Sequence, residues 1–208
     1  MSLLKVALTG GIATGKSYCL GRFGRRGVPI IDADVLAHAL VRRGEPAWTA
    51  VRERFGDEVL QADGEIDRVK LGAIVFADAA ARRDLESIIH PAVYRAILTW
   101  YGALADGPPY CAIADIPLLY ETGHEGEFDR VIATWCPPSV QIARMTQRDA
   151  LTHREAEARL AAQMPADEKA QRADFVIRTD GTFAETDAQV DAVLAKITAV
   201  ARQRMERE

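Results

Sequence analysis

The sequence of 208 residues lacks the features that mark several large classes of protein. Its three cysteines, Cys19, Cys111 and Cys136, are widely spaced and form no Cys-x-x-Cys pair or cysteine–histidine cluster, so neither a zinc site nor a disulfide framework is predicted. An odd number of cysteines is typical of a reducing compartment. No apolar run approaches the roughly 20 residues that a membrane span needs. These absences, and an N-terminus interrupted early by glycines, predict a cytoplasmic protein with no membrane partner.

Excess basic charge and asparagine are also missing. The formal net charge is −4, whereas a general nucleic-acid binder is usually basic, so no nucleic-acid partner is expected. The chain has no asparagine and no Thr-Lys pair. It therefore lacks the Asn-Lys-x-Asp or Thr-Lys-x-Asp motif with which a GTP-dependent switch normally reads guanine.

Short apolar runs alternate with stretches of helical periodicity. Strands are predicted near residues 4–9, 28–31, 110–114, 130–134 and 175–177, and helices at about 16–25, 138–149, 153–163 and 183–204. Strands separated by helices predict an α/β fold with a parallel five-stranded sheet flanked by helices. The stretch at about 35–105 is mostly helical and predicts a subdomain inserted into a single domain, 1–208, over the C-terminal edge of the sheet.

A glycine-rich motif lies between the first predicted strand and the first predicted helix. Residues 10–17 read Gly-Gly-Ile-Ala-Thr-Gly-Lys-Ser and match the phosphate-binding pattern Gly-x-x-x-x-Gly-Lys-[Ser/Thr] of the P-loop NTPase fold. Backbone N–H groups of such a loop surround an anion, and the following helix adds its positive end. Lys16 is expected to reach the β- and γ-phosphates of ATP, and the Ser17 hydroxyl to bind Mg²⁺. The predicted nucleotide-binding residues are Gly11, Ile12, Ala13, Thr14, Gly15, Lys16, Ser17 and Tyr18.

The loop predicts nucleotide binding without choosing the reaction that follows. A small-molecule kinase, a GTP-dependent switch and an ATPase motor or assembly factor all use it. The missing guanine motif disfavours the switch, and a motor would usually need further domains. Small size and a helical insertion favour a kinase that closes over its acceptor.

Three acidic residues follow the second and third predicted strands. Asp32 and Asp34 are two residues apart, so in an extended segment both project to one side, and either is a candidate to orient an acceptor hydroxyl and take its proton. Each is equally a candidate cap for the helix that begins near Val35. Asp115 ends the third strand and is a candidate Mg²⁺ ligand opposite Ser17, or a turn residue. Glu121 is a candidate for the acceptor site or a solvated carboxylate.

An ordered set of short motifs resembles the dephospho-CoA kinase family over nearly the whole chain. The most specific are the Asp-Ala-Asp, the His-Pro and the Pro-Leu-Leu-aromatic-Glu. In chain order the markers are Leu8-Thr9-Gly10-Gly11-Ile12, Gly15-Lys16-Ser17, Ile31-Asp32-Ala33-Asp34, Phe55-Gly56, Asp63-Gly64, Asp67-Arg68, Leu85-Glu86, His90-Pro91, Asp115-Ile116-Pro117-Leu118-Leu119-Tyr120-Glu121, Gln141, Arg144, Arg148-Asp149, Gln163 and Ala173-Asp174.

The resemblance implies ATP-dependent phosphorylation of the ribose 3′-hydroxyl of dephospho-CoA, the last step of coenzyme A synthesis. It implies that Asp34 is the general base, that the insertion binds CoA, and that about 139–165 forms a lid whose arginines reach the ATP phosphates. The alternatives are a nucleoside monophosphate kinase and a P-loop switch without a small-molecule acceptor. A monomer or small homo-oligomer is expected.

Further site residues come from the same resemblance. Arg144 and Arg148 are four residues apart on a predicted helix and share a face, and Arg148 is the favoured catalytic arginine. The predicted catalytic residues are Asp34, Lys16, Arg148 and Arg144, the substrate-binding residues Thr9, Asp34, His90, Leu118 and Glu121, and the metal ligands Ser17 and Asp115.

Three positions carry a structural expectation of their own. The family usually has glycine at position 13, and Ala13 is expected to be tolerated because no positive φ is required there. The family usually has asparagine at position 179, so Thr179 changes a hydrogen bond expected near the adenine. Pro91 restricts the residue before it, which predicts a loop or helix boundary at His90, or a contact in the substrate subdomain.

Overall fold

A five-stranded sheet forms the centre of the computed structural model, which describes residues 3–104 and 110–206. The strands lie in the order β2-β3-β1-β4-β5, and β1 pairs in parallel with both β3 and β4, as β4 does with β5. The predicted parallel five-stranded P-loop fold is thus confirmed. The strands are β1 (Leu4–Gly10), β2 (Ile30–Asp32), β3 (Cys111–Asp115), β4 (Arg130–Trp135) and β5 (Phe175–Arg178).

The helices lie between the strands in the sequence and after the last of them. All four helices predicted with explicit bounds are found, and the short α8 is additional. The described helices are α1 (Lys16–Arg25), α2 (Ala33–Leu40), α3 (Pro46–Phe55), α4 (Arg68–Ala77), α5 (Ala79–Ala103), α6 (Pro138–Asp149), α7 (His153–Ala161), α8 (Ala166–Arg172) and α9 (Phe183–Met205).

The sheet is held by an apolar core shared by β1, α1 and α9. Leu4, Val6 and Leu8 alternate along β1 and pack with Phe23 of α1 and Ile197 of α9, and all five side chains are buried. Burying such side chains contributes about 1.5–3 kcal/mol each. This packing fixes the start of α1, and therefore the loop that connects it to β1.

The chain divides into two compact units, one formed by residues up to Ile31 and from Ala103 onward, the other by Asp32–Gly102. The second unit contains α2 to α4 and nearly all of α5 around its own core, in which Val51, Phe55, Leu71 and Ala81 are buried. It overlaps the insertion predicted at about 35–105, whose end falls outside the described residues. That this unit binds CoA stays a prediction.

His90 and Pro91 do not mark a loop or helix boundary, and that prediction is wrong. Both residues lie inside α5, which runs without interruption from Ala79 to Ala103. An internal proline removes one backbone hydrogen bond and usually kinks or breaks a helix. Here packing outweighs that cost, because Val93, Tyr94 and Ile97 of the following turns are buried.

Candidate functional site

The loop between β1 and α1 has its carbonyl groups bonded to neighbouring elements. The Gly11 oxygen accepts from the Thr14 hydroxyl at 2.8 Å, the Ile12 oxygen from Gln141 Nε2 at 2.6 Å, and the Thr14 oxygen from the Thr179 hydroxyl at 2.8 Å. These oxygens are therefore bonded to protein donors, and anion binding by such a loop depends on its N–H groups. Two N–H groups of the loop also have protein partners: Ile12 N–H donates to Gln163 Oε1 at 3.1 Å, and Thr14 N–H donates to the Gly11 oxygen at 3.3 Å.

Glycine is required at two positions of the loop for different reasons. A Cβ on Gly10 would collide with the hydroxyls of Thr134 and Thr14, which hydrogen-bond each other at 2.7 Å. Gly15 has φ of 81° and caps the N-terminus of α1 in the left-handed region, which disfavours side chains.

Ala13 adopts a φ of 58°, so the expectation that this position needs no positive φ is wrong. For a residue with a Cβ, such a conformation costs roughly 1–2 kcal/mol. The surrounding contacts must therefore hold the loop in place.

Arg144 of α6 supplies the strongest of these contacts. Its Nη1 donates to the Ala13 oxygen at 3.0 Å and to the Thr179 hydroxyl at 3.1 Å, and its Nη2 donates to the Thr179 oxygen at 2.5 Å. The guanidinium thus links the two positions at which the chain departs from the family pattern. Arg144 was predicted to be catalytic, and the structure shows it bonded to the loop and to the end of β5.

Lys16 and Asp115 form an ion pair at the end of β3. Lys16 Nζ lies 2.5 Å from Asp115 Oδ1, and the Asp115 side chain is 1% exposed. A lysine held at the start of α1 beside a buried carboxylate puts both charges at the phosphate-binding end of the helix. Ser17, the next residue, is exposed in the first turn of α1.

The oxygens at this position suit Mg²⁺. The part of the chain that the structure describes has no group of three or more His, Cys, Asp or Glu side chains able to hold a metal. In nucleotide sites, however, Mg²⁺ typically takes only one or two protein oxygens and completes its shell with phosphates and water. The Asp115 carboxylate and Ser17 hydroxyl are oxygens of this kind, and the site therefore fits the ion.

A cavity of about 690 Å³ opens beside the loop. Arg144 and Arg148 both line it, as their shared helix face predicted, and so do Tyr18 and Phe183, whose ring centroids are 4.9 Å apart. Arg148 is exposed and donates to both Asp149 oxygens, at 2.8 and 2.9 Å. This hydrogen-bonded pair lowers the pKa of Asp149 and raises that of Arg148.

The two aspartates after β2 have different positions. Asp32 caps α2, because its Oδ1 accepts from the N–H groups of Asp34 at 2.8 Å and Val35 at 3.2 Å. Asp34 lies in the first turn of α2 and is exposed. Only Asp32 acts as the cap, so the Asp34 carboxylate remains a candidate base.

The remaining predicted substrate contacts occupy varied environments. The Thr9 hydroxyl is buried and donates to the Pro117 oxygen at 3.3 Å, whereas Leu118 is 36% exposed. Glu121 forms an ion pair of 2.7 Å with Lys169, and His90 is half-buried in α5. The roles of these residues in binding substrate stay predictions.

Residues without a sequence-derived role also hold the loop. Gln141 and Gln163 are family markers with no predicted role. In the structure Gln141 Nε2 donates to the Ile12 oxygen, and Gln163 Oε1 accepts from the Ile12 N–H. Lys169 and Thr134 also contact this region, at Pro117 and at Thr14. The sequence signal available for Gln141 was its position four residues before the apolar Met145 on a predicted helix, which puts both on one face. In the structure Gln141 is 1% exposed.

Comparison with known proteins agrees with this geometry. The family profile described as dephospho-CoA kinase matches residues 4–185. The chain belongs to the dephospho-CoA kinase family. It is 48% identical to the dephospho-CoA kinase of Anaeromyxobacter dehalogenans over 92% of this chain and 91% of that protein. The enzyme of Geobacillus kaustophilus is 44% identical, over 92% of this chain and 95% of its own.

A solved structure extends the likeness to three dimensions. Dephospho-CoA kinase from Campylobacter jejuni superposes with a TM-score of 0.64 at 29% identity, covering 93% of this chain and 96% of its own. As a member of the dephospho-CoA kinase family, the chain is an ATP-dependent kinase that acts on an alcohol group. No helix within the described residues is long and apolar enough to cross a membrane.

Proposed function

We propose that the chain phosphorylates the ribose 3′-hydroxyl of dephospho-CoA with ATP, giving coenzyme A and ADP, through the residues described above. The observation that carries the assignment is the family match over residues 4–185, which includes the phosphate-binding loop and Asp115. The Lys16–Asp115 ion pair supports it, because a cation and a carboxylate lie together next to the loop that matches the phosphate-binding motif.

The loop and Lys16 bind the β- and γ-phosphates. The N–H groups at the start of α1 and the Lys16 ammonium offset the negative charge that spreads over the γ-phosphoryl oxygens during transfer. Ser17 and Asp115 would hold Mg²⁺, which neutralises phosphate charge when bound. ATP and Mg²⁺ are thus the cosubstrate and the cofactor.

Asp34 acts as general base in this proposal. It accepts the proton of the acceptor hydroxyl while that oxygen bonds to the γ-phosphorus, and the bond from this phosphorus to the β–γ bridging oxygen breaks to release ADP. Its exposure and its position just after β2 support the role, as does the assignment of helix capping to Asp32. Arg148 is the proposed arginine for the transferring group, since Arg144 is bonded to the loop.

The cavity beside the loop is the proposed site of the adenine. It is lined by the Tyr18 and Phe183 rings, and nucleobases stack on such rings. Thr179, which stands where the family usually has asparagine, also lines the cavity, and its hydroxyl donates to the Thr14 oxygen and accepts from Arg144 Nη1. The Thr179 hydroxyl is therefore not proposed as a partner of the adenine.

Purified protein with Mg·ATP and a coupled ADP-release assay tests the function. Dephospho-CoA should stimulate ADP release far more than AMP, CMP, UMP or shikimate. Faster turnover of a nucleoside monophosphate would favour the alternative kinase, and hydrolysis that no acceptor stimulates would favour a switch.

The compartment and the oligomeric state of the enzyme are also part of the proposal. The three cysteines are free, in keeping with the reducing cytoplasm proposed as the compartment. A monomer or small homo-oligomer without a nucleic-acid partner is proposed, in keeping with the net charge of −4. Size-exclusion chromatography with light scattering measures the oligomeric state.

A further inference from the structure

Lys169 of α8 is a charged side chain that the proposed mechanism does not use. It is fully buried, at 0% exposure. Its Nζ donates to the Pro117 oxygen at 2.7 Å and lies 2.7 Å from Glu121 Oε1. Burying an ammonium carries an effective desolvation cost of several kcal/mol, so a residue of this kind needs well-placed partners.

The two partners lie on the segment that follows Asp115. Pro117 is two residues beyond that carboxylate, and its oxygen also accepts from the Thr9 hydroxyl at the end of β1. Glu121 Oε1 also accepts from Met164 N–H at 3.2 Å. Through these two partners, the Lys169 ammonium connects the ends of β1 and β3 to the segment between α7 and α8.

That last segment also contacts the phosphate-binding loop. Gln163, the neighbour of Met164, accepts from Ile12 N–H. Burial lowers the pKa of Lys169, while Glu121 opposes this effect and the charge of Lys16 adds to it.

We propose that Lys169 is a positioning residue for phosphoryl transfer: it holds the Pro117–Glu121 segment, and with it Asp115, in register with the loop and with the end of the predicted lid. The inference rests on the proposed function. Lys169 acts through backbone and carboxylate partners and makes no contact with the substrate. A neutral side chain of similar size would fill this space without the desolvation cost. The charge of Lys169 therefore acts by holding its two partners in place.

The main test replaces Lys169 with methionine, which has a similar length and no charge. For Lys169→Met we expect kcat to fall at least roughly tenfold, about 1.4 kcal/mol of barrier, with KM for ATP changed less than about twofold. Hydrogen exchange at residues 116–122 and 163–165 should become faster. The matched control is Lys196→Met on the exposed side of α9, which makes the same change in charge.

Two more variants keep the test decisive. Lys169→Met combined with Glu121→Gln removes the carboxylate that the single change leaves without its cation, and kcat should stay low. Glu121→Gln alone keeps an oxygen for Met164 N–H, and it should lower kcat severalfold at unchanged KM for ATP. KM for dephospho-CoA should also stay unchanged, which separates positioning from the predicted contact of Glu121 with substrate. This variant decides the matter if Lys169→Met fails to fold.

Several results would overturn the inference. These are wild-type kcat in folded Lys169→Met, recovery of kcat in the double variant, wild-type kcat in Glu121→Gln, or an equal loss in Lys196→Met. A lower melting temperature with unchanged kcat would likewise assign Lys169 to stability alone. Failure of the proposed function would show separately, because dephospho-CoA would then not stimulate ADP release by the wild-type protein.

Discussion

Replacing Arg144 with lysine tests whether the loop is held from α6. The change keeps the positive charge and removes the planar fork with which one guanidinium reaches the Ala13 oxygen, the Thr179 hydroxyl and the Thr179 oxygen. An ammonium on a flexible stem keeps about one of these contacts, because its donors radiate from a single nitrogen.

The magnitude follows from the contacts that are lost. Hydrogen bonds with a charged donor contribute about 1.5–3 kcal/mol each, and Arg144 is only half-buried, so water replaces part of that. A net loss of about 2 kcal/mol is expected. For a protein of this size, that lowers the melting temperature by about 4–8 °C. Since Ala13 has a positive φ, the loop should relax, and KM for ATP should rise roughly tenfold or more.

Thermal unfolding and steady-state kinetics measure these effects. Arg83→Lys on the exposed side of α5, outside the predicted lid, is the matched control and should leave the melting temperature and KM for ATP unchanged. If Arg144→Lys melts like the wild type and keeps its KM for ATP, the guanidinium does not hold the loop. If the variant is stable but kcat alone falls, Arg144 contacts the transferring phosphoryl group instead.

Four other predictions concern single residues. Asp34→Asn should lower kcat by about 10²–10⁴-fold with ATP affinity little changed, and full activity in that variant beside a dead Asp32→Asn would reverse their roles. Arg148→Lys should lower kcat at least roughly tenfold, and wild-type kinetics in both Arg148→Lys and Arg148→Ala would remove this residue from the active site. Asp115→Asn should raise the Mg²⁺ concentration needed for half-maximal activity, and an unchanged Mg²⁺ titration would mean that the carboxylate does not help to hold the ion. Ala150 ends α6 with φ of 52°, so Ala150→Gly should stabilise the protein by roughly 0.5–1 kcal/mol once the greater freedom of unfolded glycine is subtracted, and a lower melting temperature would contradict this.

The local elements were predictable where one physical signal dominates. The motif from Gly10 to Ser17 gave both the loop and the start of α1, because glycines and a lysine at that spacing have few other uses. Short apolar runs located the strands to within two residues at their ends. The long insertion was visible as helical periodicity without strand character. In contrast, α8 went unpredicted, since seven mostly polar residues carry no periodic signal.

Errors arose where tertiary contacts outweigh local preference. A proline normally marks a helix boundary, yet Pro91 is tolerated inside α5 because the turns that follow it are packed in a core. Alanine normally avoids a positive φ, yet Ala13 adopts one, with its oxygen bonded to a guanidinium from an element more than 100 residues away. Neither outcome could be deduced from neighbouring residues.

The sequence by itself determined the fold class, the phosphate-binding loop and the family, because these depend on residue types at fixed short spacings. Only the tertiary structure decided what each charged side chain contacts. It assigned Asp32 to the cap of α2, Arg144 to the loop, and Glu121 to Lys169. The physical reason is that an ion pair or hydrogen bond depends on distances of about 3 Å between atoms. Residues far apart in the chain reach such distances only when the sheet and its helices have packed.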